Sequence, residues 1–449
     1  MPAVHVLPWV SVQPSLFDVI HDVRYGANGT HGKYEDVWAT VSLAAQGTQA
    51  PGPTREHGTW RVSRDTSPTH DHDADVCISS QTQSMYIESS HSARLMDLSC
   101  HGAVELAPTS IHVAAHRGHV AVRTEAGTAS SSAQILRLSP LMDNVQRYAI
   151  GAADGVVYAG VWEGAASLST ATSPEACTQV ACRGHQGDIT SLRFFPSAQV
   201  ILSTSLDMRA RIFSALDGTN PRTLEGHTRA VTSSAILGRG REVATGSWDE
   251  TVRLWDVGQN TTVSTWHVHD GVCALEVLDA YTSTPEARHG VLLAGTDSGR
   301  LCVWDVREPP RKTDVDDATV PVPHTPLSHT GTAANAPVHA MDVHSTSVLV
   351  GMADGVCAMY DMRQWTEPVH AWCRNTASVT DVRIDPSGTA VMCATSDGLP
   401  YSLDLSTWAL QEYTGWDTER TTAIERDAWG RTIVLGHGTY ASVSYTHLR

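Results

Sequence analysis

Five aspartates recur along the chain, Asp207, Asp249, Asp297, Asp354 and Asp397, and the first two stand 22 residues behind His185 and His227. Carboxylates and imidazoles are the groups of acid–base catalysis and of metal coordination, so a ring of catalytic acids or a set of calcium ligands is the chemistry to test for. The local sequence argues against both. Each Asp precedes a strand-like run at a similar offset in a repeating segment, where a turn Asp accepts hydrogen bonds from its own backbone. The densest cluster, His70, Asp71, His72, Asp73 and Asp75, follows the loop-like RDTSPT. Adjacent residues cannot all face one ion without a rigid frame. His437, between Gly436 and Gly438, reads as a turn of the last repeat. GTHGKY (29–34) lacks the spacing of a phosphate-binding loop, and GxSxG, HExxH and Cys-His signatures are absent from the sequence. No catalytic residue, metal or cofactor is expected.

The elements that position these residues are visible as internal repeats. RGHQGDITSLRFFPSAQVILSTSLDMRARIF and EGHTRAVTSSAILGRGREVATGSWDETVRLW align without a gap, placing His185 over His227, Asp207 over Asp249 and Phe213 over Trp255 at a constant offset of 42. Within each unit, short runs of period-2 alternation are separated by turn residues, which predicts several antiparallel strands. Later landmarks continue the series: Asp297 with Trp304, Asp354 with Tyr360, and Asp397 with Leu403. Loop-like insertions at 281–290 and 307–337 account for the longer steps. With Asp154 upstream and TIVLGHGTYASVSY downstream, seven units are expected.

A Gly-His opening, one Asp in a tight turn and an aromatic-Asp ending at this spacing resemble WD repeats, each a four-stranded blade of a β-propeller. The resemblance implies an all-β fold, a seven-bladed WD-repeat β-propeller over 116–449, and the short β-like runs at 76–79, 85–88 and 94–98 predict a small β-rich extension over 1–115. The run His119–Thr124 is expected to complete the seventh blade. It also implies a buried relay within each blade, assigned here to His185, Asp207, His227, Ser247 (or Thr245), Asp249, Trp255, Asp297, Trp304, Asp354 and Asp397. Some units are degenerate: Phe213 replaces Trp, Asn375 stands at a His position, and His269 lacks its Gly.

Composition narrows the partner. The 31 Lys+Arg and 48 Asp+Glu give a formal charge of −17, which argues against nucleic acid or an anionic membrane and favours a basic protein. Hydrophobic residues at 41% and charged residues at 18% are those of a folded chain. The N-terminus has no basic segment ahead of an apolar run, and the 9 cysteines include no CxxC pair; reduced thiols in cytoplasm and nucleus are expected. The Asn-x-Thr triplets at Asn28 and Asn260 are expected to be unmodified. Trp248 precedes a turn Asp and is expected on the upper face with Asp188 and Arg229, where an exposed Trp would anchor a partner.

Phe194–Ser197 (FFPS), the run Asp207–Asp217 and Arg239–Arg241 (RGR), with Leu292–Arg307, are similar to the proteasomal ATPase-associated factor family. That resemblance implies a non-enzymatic, monomeric chaperone of the proteasome regulatory particle that binds the C-terminal domain of one ATPase subunit. The alternative is an adaptor: a ubiquitin-ligase substrate receptor or a ribonucleoprotein scaffold. A propeller hydrolase would need acids or a His–nucleophile pair at the central channel.

Overall fold

The computed structural model describes residues 133–162, 179–278, 290–306, 336–363, 365, 367–413 and 420–436, with shorter strands or segments at 4–7, 9–13, 34–43, 54–64, 73–78, 84–89, 93–95, 98–99, 109–114, 319–320 and 443–444. The repeats fold as antiparallel sheets with strands in chain order. Ala133–Leu138 opens the first sheet, Ile189–Phe194 the second, Val231–Leu237 the third and Val272–Leu278 the fourth. Val338–His344, Val379–Ile384 and Thr421–Arg426 open the remaining three. Each opening strand touches the next, and the last touches the first, so the sheets stand radially around a closed ring.

Six sheets hold the four strands of a complete blade, and the sheet built on Thr421–Arg426 has three. The expectation of seven blades is therefore corrected to six complete blades and one partial sheet. Among the described residues the last unit supplies three strands, and apolar packing joins this sheet to the first. Tyr148, Ile150, Tyr158 and Trp162 of the first sheet form one apolar cluster with Ala423, Ile433 and Leu435. Trp162 Nε1 also donates to Asp427 Oδ2 at 3.2 Å across the same seam. The run His119–Thr124 and the boundary at 115 lie outside the described residues. The strand just before them, Thr109–Ala114, pairs in parallel with Leu410–Tyr413, the outer strand of the sixth blade. Further N-terminal strands continue that sheet, and His5–Val6 adds in parallel to the outer strand of the fifth blade.

The core lies between blades. Ile189, Leu192 and Phe213 pack on Ala149 and Val157 of the preceding blade, and Val272 and Leu275 pack on Val252 and Leu254. Close approach needs a small residue opposite a β-branched one. A Cβ added to Gly246 would come within 2.5 Å of Val272 Cγ1, and one added to Gly295 within 2.4 Å of Val338 Cγ1. Glycine fills these places because the backbone of one blade meets the side chain of the next.

The inner wall of the ring carries a layer of charge. The fifth residues of the opening strands are, in chain order, Arg137, Arg193, Ala235, Glu276, Asp342, Arg383 and Glu425. Arg137 meets Asp381 at 2.9 Å and Glu425 at 3.4 Å, and Arg383 meets Glu425 at 3.0 Å. Arg193 reaches past the third blade, where Ala235 leaves room, to pair with Glu276 of the fourth. Burial raises the Asp342 and Glu425 carboxyls above their ordinary range, while the facing Arg383 works against that shift.

Candidate partner-binding face

The relay forms in full in the third blade. Glycine at 226, with φ at 156°, turns the chain into the loop that presents His227. His227 Nδ1 lies 2.8 Å from Asp249 Oδ2, and its Nε2 lies 2.8 Å from Thr245 Oγ1. Trp255 Nε1 donates to the same Thr245 oxygen at 2.8 Å. Burial opposes charge on Asp249, but hydrogen bonds from His227, Thr251 and the Thr228 N–H outweigh it and hold the carboxyl well below the usual range. The second blade repeats the arrangement with His185, Asp207 and Ser203, each contact at 2.9 Å. There the buried ring of Phe213 meets His185 edge-on, with centroids 6.0 Å apart.

Three relay assignments change. Ser247 is not on the His–Thr–Trp path: its hydroxyl donates to Ala230 O at 2.8 Å and accepts from Asp249 N at 3.0 Å, bracing the turn, and Thr245 carries the relay. Asp297 stands one register position early. A backbone bond closes each upper turn, from Leu206 N to Asp188 O, Trp248 N to Ala230 O and Asp297 N to Gly271 O. Asp297 is therefore the counterpart of Trp248, and Ser298 takes the place of Asp249. The carboxylate comes instead from the opposite loop, where Asp270 accepts from Ser298 Oγ and from its N–H at 3.0 Å. Trp304 is half-buried and packs against Trp266, ring centroids 6.3 Å apart, in an apolar setting. His269 is exposed, at a φ of 55°.

Asp354 accepts from Val356 N at 3.2 Å within its own turn. Asp397 receives Asn375 Nδ2 and Thr395 Oγ1, both at 2.6 Å, so Asn keeps one of the two links a histidine makes. These acids sit on separate turns. Among the described residues no group of three or more His, Cys, Asp or Glu is placed to hold a metal ion. His70, Asp71, His72 and His437 lie outside the described residues.

The three upper-face candidates are only partly together. Trp248 is 49% exposed, and Arg229 Nη1 donates to its carbonyl at 3.2 Å. Asp188 is half-buried and turns the other way, accepting from Gln134 Nε2 of the first blade at 3.2 Å. Sequence reasoning missed Leu206, 45% exposed at the Trp248 position of the second blade, and Met208, 44% exposed beside it. The signal was available, since Leu206 also immediately precedes a turn Asp. Leu206, Met208 and Trp248 give the tops of two adjacent blades an apolar surface beside Glu250 and Asp297, suited to covering a protein rather than enclosing a small molecule.

Radial four-stranded sheets, two of them carrying His–Asp turns, are the architecture of a WD-repeat β-propeller. The family profile described as WD domain, G-beta repeat matches residues 176–214 and 218–256. Among curated proteins, the 26S proteasome regulatory subunit RPN14 of Saccharomyces cerevisiae is 48% identical over 94 residues, 20% of this chain and 22% of that protein's length. Eukaryotic translation initiation factor 3 subunit I of the same species is 23% identical over 268 residues, 58% of this chain and 73% of that protein. The crystal structure of the WD40 beta propeller domain of Doa1 superposes with a TM-score of 0.55 at 14% identity, over 74% of this chain and 98% of that one, a likeness of fold.

Proposed function

We propose that this protein is a non-catalytic chaperone in the assembly of the proteasome regulatory particle, holding the C-terminal domain of one ATPase subunit on its upper face. The observation that carries this reading is the 48% identity with RPN14 over 94 residues, twice the identity of the longer match. The exposed Leu206, Met208 and Trp248 supply anchors, and the charge of −17 suits a basic partner domain, favouring association rate and selectivity. The protein would act as a monomer in cytoplasm and nucleus. Affinity purification of the full chain followed by mass spectrometry tests this. Regulatory-particle ATPases recovered free of core particle support it; cullin adaptors or initiation factors in their place reject it.

A second reading, a ribonucleoprotein scaffold subunit, is favoured by the match to translation initiation factor 3 subunit I, which spans 73% of that protein. It predicts initiation factors in the same purification.

A further inference from the structure

Three blades build the turn between their third and fourth strands in the same way, closing it with a backbone bond from a residue in the left-handed region. Gly218 N donates to Ser214 O at 2.9 Å, and Asn260 N to Asp256 O and Trp408 N to Asp404 O at 2.8 Å each. Their φ values are 72°, 58° and 58°. Glycine and asparagine are the residues this region favours, whereas a bulky aromatic is an outlier held there by its surroundings. Such strain persists where the side chain is needed elsewhere.

The surroundings of Trp408 show where it is needed. Its ring faces His5, centroids 4.6 Å apart, and meets His370 of the fifth blade edge-on at 5.7 Å. His5 and Val6 pair in parallel with Trp372 and Cys373, and Leu7 N donates to Cys373 O at 2.8 Å. Val4 packs on the fifth-blade core, and Leu7 and Trp9 are buried. The N-terminal arm thus lies along the outer edge of the fifth blade, and its imidazole ends on the strained residue of the sixth.

We propose that Trp408 is a latch. The sixth-blade turn holds an aromatic ring in an unfavourable conformation so that it seats the N-terminal arm across the fifth and sixth blades. Release of the arm uncovers the backbone edge at Trp372 and Cys373, and an uncovered sheet edge is a template for strand pairing.

Hydrogen–deuterium exchange by mass spectrometry on the full chain tests the assignment. Trp408→Gly, which suits the turn, is expected to speed exchange in residues 4–7 at least tenfold, with strand Ala390–Thr395 as protected as before and a melting temperature unchanged or raised. His5→Ala is expected to loosen the arm equally without altering the turn. The proposal is overturned if arm exchange in Trp408→Gly matches the parent protein, or if the sixth-blade strands lose protection together with the arm.

Discussion

In the third blade, His227 ties its own turn together over a chain separation of 22 residues, through Asp249. On the opposite side of the ring, Arg137 meets Asp381 over a separation of 244. The first contact can form as soon as one unit folds. The second exists only when the first, sixth and seventh sheets have been brought together, so it reports closure of the ring. The propeller therefore combines locally stapled blades with a seam whose polar contacts depend on the whole assembly. The two kinds of bond should fail under different challenges.

The largest effect is expected at the seam. Asp381 accepts Arg137 at 2.9 Å, lies 3.4 Å from Arg383 and accepts Ile424 N at 3.2 Å. Asp381→Ala leaves the buried Arg137 and Arg383 to share Glu425 as their nearest carboxylate and orphans Ile424 N, and breaking a buried pair from one side costs about 3–5 kcal/mol. Urea denaturation should show that loss, with exchange rising first in Ala133–Leu138 and Thr421–Arg426. A loss below about 1 kcal/mol, or one spread evenly over all blades, would remove the distinction between seam and blade.

Next in size is the relay. His227→Ala strips Asp249 and Thr245 of a buried partner each and opens a cavity beside Trp255, for about 2–3 kcal/mol. Asn375→Ala, at the matching place in the sixth blade, removes the single link to Asp397 on an exposed turn and should cost about 1 kcal/mol or less. Equal losses at the two sites would show that the full relay adds nothing over its degenerate form.

What could be read from the sequence follows the same division. The 42-residue offset located His185, Asp207, His227, Asp249 and Trp255 because these contacts lie within one repeat unit. The fourth blade was misread because the nearest Asp was assigned to the turn, whereas register puts Asp297 at the Trp248 position and moves the carboxylate to Asp270 across the loop. Residue type alone does not reveal an exchange of sides between donor and acceptor. The charged layer was legible in principle, as a charge at the fifth position of six opening strands, but its pairings join residues whose proximity only ring closure creates. That the last unit lacks an outer strand of its own was legible, since its recognisable strands end near Tyr445, and the run His119–Thr124 expected to complete it lies outside the described residues.

Acid should separate the two regions further. The Asp207 and Asp249 carboxyls are held below their ordinary range in the folded chain, burial opposing and hydrogen bonds from His185 and His227 prevailing. Their contribution is present above the unfolded value near 4 and is lost as pH falls toward the folded values. Asp342 and Glu425 are raised by burial, so the folded chain binds their protons more readily, and their contribution is present in acid and lost as pH rises through the folded values. Between about pH 5 and 3, the second and third blades should lose exchange protection before the opening strands of the fifth and seventh sheets. The reverse order would mean that the Arg partners of the seam, and not burial, dominate its carboxylates.

The smallest effect on stability is expected where the effect on function is greatest. Trp248 is 49% exposed and lies outside the apolar clusters between blades. Trp248→Ala should change stability by less than about 0.5 kcal/mol, as surface substitutions generally do. Truncating an exposed aromatic at the centre of a protein contact costs about 2 kcal/mol or more of binding, which is a loss of affinity of about thirtyfold. Melting curves and titration against the captured partner separate the two quantities. Leu206→Ala, on the neighbouring blade, should weaken the same partner if the contact covers both tops and leave it unchanged if the third blade binds alone. A Trp248→Ala protein that melts many degrees lower while binding normally would place the indole among the packing residues and move the contact away from this face.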